Sequence, residues 1–72
     1  MAVAGSSIPT YTYALRNGVV RIIASGHKQR GVCLAPDDAV RAVLAGEAAT
    51  VAGSDAWAMR DALAAAGKAV QP

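Results

Sequence analysis

Phenylalanine is absent from this 72-residue chain, and its only aromatic side chains are Tyr11, Tyr13 and Trp57. Valine, isoleucine and leucine together fill 15 positions, whereas 18 of the residues counted as hydrophobic are alanine. Alanine favours helices but buries little apolar area, so a hydrophobic content of 54% overstates the core. A thin core in a chain of this size leaves roughly 3–5 kcal/mol of net stability. Cysteine is limited to Cys33, which excludes a disulfide within the chain. His27 is the only histidine, and with Cys33 it makes no CxxC or HxxxH spacing, so no metal and no cofactor is expected. With disulfide and metal set aside, burial against a partner surface is the remaining route to stability.

Acidic residues are missing from residues 1–31, which hold Arg16, Arg21, Lys28 and Arg30. The remainder is mildly acidic, and the net charge is +2. Such asymmetry suits head-to-tail association, or a basic face laid on a phosphate backbone. No apolar run approaches bilayer length and Met1–Ile8 lacks a basic n-region, so neither a membrane span nor a signal peptide is expected. A lone cysteine suits a reducing compartment, and the expected location is intracellular, in the cytoplasm or in a particle assembled inside the cell.

Catalytic constellations are missing as well. Nucleophilic catalysis needs a nucleophile, a base and an orienting group held together. His27 sits between Gly26 and Lys28, and Cys33 falls in a segment expected to be buried and therefore inert. Asp37 and Asp38 stand where acids ordinarily favour a helix start. Gly67-Lys68 lacks the first glycine of a P-loop and closes a helix where a phosphate loop would open one. The chain is not expected to be an enzyme.

What is present begins with Asn17-Gly18 between two apolar runs. A type I′ turn needs positive φ at both central positions, and Asn-Gly tolerates this best. A two-residue loop then predicts Leu15 opposite Val20, Tyr13 opposite Ile22 and Tyr11 opposite Ala24, all on one face. The other face would carry Thr12, Ala14, Arg16, Val19, Arg21 and Ile23. Residues 1–9 read as an irregular arm, flexible or docking, ahead of a single domain over residues 10–72. The spacing predicts strands over about Thr10–Arg16 and Val19–Ala24, a polar loop over Ser25–Gly31, and a short third strand over Val32–Ala35.

Pro36 stops that run and opens a helix with Asp37 in its first turn, four residues before Arg41, and Gly46 as its C′ residue. Val40, Val43 and Leu44 form its apolar stripe. Residues 47–52 mix helix and strand signals, and flanking glycines favour a short edge strand. Ser54 reads as the N-cap of a second helix that Gly67 ends, with Ala56, Met59, Leu63 and Ala66 on one side. The expected fold is α+β: a small antiparallel sheet of three to four strands packed on two short helices, in the order ββ(β)α(β)α.

The functional expectation is a non-catalytic protein–protein interaction or assembly module, as an oligomer or as a small subunit of a larger complex. Arg16, Arg21, His27, Lys28, Arg30 and Trp57 are the candidate partner-binding residues: four cations and a histidine on or beside the hairpin, and a tryptophan of the kind that anchors interfaces. A phage particle component, or a phage-encoded inhibitor docked on a host enzyme or defence complex, fits a small alanine-rich chain of this kind. The alternative is nucleic-acid binding by the basic hairpin, since a two-stranded ribbon fits a groove and tyrosines among cations can stack on bases. No small-molecule substrate is evident.

Overall fold

The computed structural model of the chain describes residues 7–29 and 33–71. β1 (Ser7–Arg16) and β2 (Val19–Gln29) form the expected hairpin. Its two turn residues have φ of 53° at Asn17 and 80° at Gly18, the left-handed pair that a type I′ turn demands. Arg16, Leu15 and Tyr13 face Val19, Val20 and Ile22 as the loop length dictates.

Beyond that point the register differs from the expected one. Tyr13 faces Ile22 and Thr12 faces Ala24, so Ile23 is a β-bulge with no residue of its own opposite. Tyr11 is therefore opposite Ser25 instead of Ala24. One extra residue reverses the phase of alternation along the rest of β2. The expected loop is also largely strand: Ser25–Gln29 continues β2 and pairs with Ser7–Tyr11 of β1. The glycine and polar side chains that suggest a connector are equally compatible with a ribbon whose backbone is held from one side. Residues 1–6 and 30–32, including Arg30, lie outside the described residues.

α1 (Pro36–Leu44) begins at the predicted proline. It buries Ala39, Val40 and Val43, while Leu44 stays exposed, so the stripe is turned by about one position from the expected one. Arg41 pairs with Asp38 three residues before it, not with Asp37. β3 (Ala49–Ala52) is the edge strand read from residues 47–52, and it pairs antiparallel with Thr10–Tyr13 of β1. The expected strand over Val32–Ala35 is not formed at Cys33–Ala35. One backbone bond, Leu34 N–H to the Thr50 carbonyl at 2.9 Å, holds that segment, and Pro36 begins α1 immediately afterwards. Cys33 is half-buried.

A 3₁₀ turn over Gly53–Asp55 leads into α2 (Ala56–Ala65). Ser54 lies within that turn, so it does not cap α2, and no side chain does. β4 (Val70–Gln71) then pairs in parallel with Val20–Arg21, giving the sheet order β3-β1-β2-β4. The fold is α+β, four strands with two helices.

Both helices end alike. Gly46 N–H reaches the Val43 carbonyl and Glu47 N–H the Ala42 carbonyl; Gly67 and Lys68 reach Ala64 and Leu63 in the same way. These are Schellman termini with glycine at C′, at φ of 93° and 84°. Gly67→Ala places a Cβ in the left-handed region, and we expect it to cost about 1 kcal/mol. A lowered midpoint in thermal denaturation followed by circular dichroism checks this, because nothing crowds that site sterically.

The core lies between the helices and one face of the sheet. Tyr13, Val20, Val43, Val51, Met59 and Leu63 are fully buried there, with Tyr11, Leu15 and Ile22 packed against them. Five of the six side chains expected on one face of the hairpin, Tyr11, Tyr13, Leu15, Val20 and Ile22, therefore meet the core, whereas Ala24, past the bulge, is exposed. Ala66 is exposed as well.

Candidate functional site

Two features stand out on this scaffold: the free edge of β2 and a cleft at the start of α2. The edge arises because the two strands of the ribbon are much longer than their outer neighbours. β4 covers only Val20 and Arg21 of β2. From Ile22 to Gln29, β2 has no neighbour on its outer side among the described residues. The molecule is accordingly elongated, with principal extents of 42 × 18 × 17 Å.

The outward backbone groups follow from alternation. Val20 donates away from β1, to the Ala69 carbonyl at 3.2 Å, and it faces Leu15. Odd-numbered residues of β1 therefore turn their backbone groups away from β2. Their partners past the bulge, Ser25 opposite Tyr11 and His27 opposite Pro9, present N–H and C=O to the free edge. The same alternation aims the missing N–H of Pro9 away from the β1–β2 ladder, where its absence removes no bond.

The bulge also sorts the candidate side chains. Arg16 and Arg21 are exposed and lie on the sheet face opposite the core, as diagonal neighbours about Ala14, which faces Arg21. Thr12 and Thr50 share this face and their hydroxyls are 2.7 Å apart. His27, also exposed, falls on the core-side face beyond the helices, beside Pro9 and Tyr11 in a shallow cleft. Lys28 faces Ile8 in the ribbon. The register thus separates His27 from Arg16 and Arg21.

Trp57 is 72% exposed. It does not anchor the core; Met59 and Leu63 do so from the same helix. Its ring lies under the Arg60 guanidinium, whose carbon is 5.3 Å from the ring centroid, a cation–π arrangement. Together these two side chains form one wall of a cleft of about 200 Å³. Tyr11 and Tyr13 of β1 and Ile22 of β2 line the other side, and Gly53 and Ala56 close the end. Gly53 approaches β1 closely: a Cβ there would sit 3.3 Å from the Pro9 carbonyl oxygen. Two polar atoms in these lining residues are buried without a partner among the described residues, the Tyr13 hydroxyl and Arg60 Nε.

Sequence reasoning singled out Trp57 but not Arg60 or the cleft. The signal was the i, i+3 spacing of a tryptophan and an arginine on one helix, which places them on the same face. Among the described residues no cluster of metal-ligating side chains occurs, and no helix is long and apolar enough to cross a membrane. Compared with family models, curated proteins and solved structures, the chain finds no match.

Proposed function

We propose that the chain is a non-catalytic assembly module that joins a second copy of itself by antiparallel pairing of β2 with β2. The single observation behind this reading is the outer edge of β2 from Ile22 to Gln29, which no strand covers among the described residues. A long strand edge is a template for another strand, and strand addition takes its affinity from backbone bonds. An edge is self-complementary under a two-fold axis, which is the commonest symmetry of homo-oligomers. Pairing centred on Ser25 sets Ala24 against Gly26, Ile23 against His27 and Ile22 against Lys28, so no cation faces a cation. Small residues at the centre allow close approach, and Ile23, 42% exposed, gains cover. The thin core makes such burial worth more here than in a larger domain. Cys33 as a lone thiol suits a reducing, intracellular setting.

Ser25→Pro tests the reading. Its N–H points to the free edge by alternation, so proline removes an intermolecular donor and leaves the β1–β2 ladder in place. Light scattering after size exclusion should give the wild type and Ser25→Ala a dimer mass, and Ser25→Pro a monomer mass with an unchanged circular dichroism spectrum. A wild type that is monomeric at all accessible concentrations, or a Ser25→Pro protein that still dimerises, overturns it.

One observation favours the nucleic-acid alternative: Arg16 and Arg21 are exposed on one face, while the ion pair found among the described residues is Arg41–Asp38. That reading requires binding to duplex or single strands that weakens steeply with salt, with a flatter slope for Arg21→Gln.

A further inference from the structure

Two of the residues that line the cleft beside α2 carry buried hydrogen-bonding groups without partners among the described residues, and we propose that the cleft binds a small organic monocarboxylate with a flat apolar body. Tyr13 is fully buried and its hydroxyl meets no partner. Arg60 Nε is buried and equally unpaired. Buried polar groups are rarely left so, and each exception calls for an explanation. Arginine can only donate, so what is missing at Arg60 is an acceptor. Its fixed positive charge has no carboxylate partner among the described residues, where the ion pair formed is Arg41–Asp38. Asp61, the adjacent residue in α2, points away from it as consecutive helical residues do. A ligand carboxylate supplies a charged acceptor for the guanidinium and a second oxygen for the tyrosine hydroxyl.

The rest of the lining sets the body of the ligand. Tyr11, Ile22 and Trp57 are apolar or aromatic walls, which match a flat ring and reject a bare inorganic anion. A volume of about 200 Å³ holds about six or seven waters at ~30 Å³ each, enough for a single-ring acid and too little for a nucleotide. The guanidinium is already stacked on Trp57 at 5.3 Å, so little freedom is lost when it takes up an anion. The bulge at Ile23 belongs to the same design, since bulges beside sites re-aim a strand, and Ile22 immediately before it forms part of the wall. This inference does not rest on the pairing of β2 with β2, which uses the free edge of that strand and not the core-side face that lines the cleft.

Titration of the full chain with 3-phenylpropionate, followed by the fluorescence of Trp57, tests it, because Trp57 is the sole tryptophan. A saturable change is expected, with the neutral 3-phenylpropionamide bound at least about tenfold more weakly. Arg60→Gln should weaken binding of the acid by about tenfold or more and leave the amide unaffected. Tyr13→Phe should weaken the acid several-fold in a protein that remains folded by circular dichroism. The monomeric Ser25→Pro protein should bind as the wild type does, whether or not the dimer reading stands. No saturable change, equal affinity for acid and amide, or unaltered binding by both variants overturns the proposal.

Discussion

Leu63→Ala removes most of the folding free energy of the protein when no partner is present. Leu63 is fully buried in α2 with Met59, Val43 and Val51 in the same cluster. Truncating a buried leucine to alanine costs about 2–5 kcal/mol, counting the lost transfer energy and the cavity that remains. A domain with so little bulky apolar matter has a total of roughly 3–5 kcal/mol to lose. The two quantities are comparable, so a single core truncation removes most of the margin that keeps the chain folded. Urea denaturation followed by circular dichroism should show a folded baseline that is short or missing. A variant that keeps more than half of the wild-type stability contradicts the thin-core estimate. Leu44→Ala, on an exposed side chain of α1, is the matched control and should change stability by less than about 0.5 kcal/mol.

Tyr13 gives the second large effect, and two substitutions there act in opposite directions. Tyr13→Ala removes the largest fully buried side chain and should cost about 3–5 kcal/mol, as aromatic truncations do. Tyr13→Phe keeps the ring and removes a buried hydroxyl that has no partner. Leaving such a group unsatisfied costs about 1–3 kcal/mol, so its removal should stabilise the ligand-free protein by about 1 kcal/mol. Midpoints of chemical denaturation for the three proteins should therefore rank Phe above Tyr above Ala. A destabilised Tyr13→Phe would mean that the hydroxyl has an acceptor in the folded chain, and the cleft would lose one of its two free donors.

The local parts of the fold were legible in the sequence. Asn17-Gly18 fixed the inner register of the hairpin because few residue pairs accept two left-handed conformations in succession. Pro36, Gly46 and Gly67 mark helix boundaries for equally local reasons. What stayed hidden depends on distant contacts. The bulge at Ile23 leaves no compositional trace, because isoleucine is a good strand former in either phase. The strand over Ser25–Gln29 contains glycine, serine and histidine, residues that gain order there only through Ser7–Tyr11 on the other side of the turn. β4 is two residues long and forms through the return of the chain to Val20, which no short pattern encodes. At the candidate sites the hairpin side chains could be read one by one, but the separation of His27 from Arg16 and Arg21 is a result of the bulge. The cleft escaped notice because its walls come from three separate elements, and its polar groups, a tyrosine and an arginine, are ordinary in isolation.

Because Ile23 is a surplus residue in its strand, the loss of a single codon there would leave every facing pair of the ribbon intact and remove only the kink. His27 would still face Pro9, and the distal arm would straighten with no charged side chain changing sides. A lineage of such chains has in that one position a means of changing the bend of an arm without changing what the arm displays.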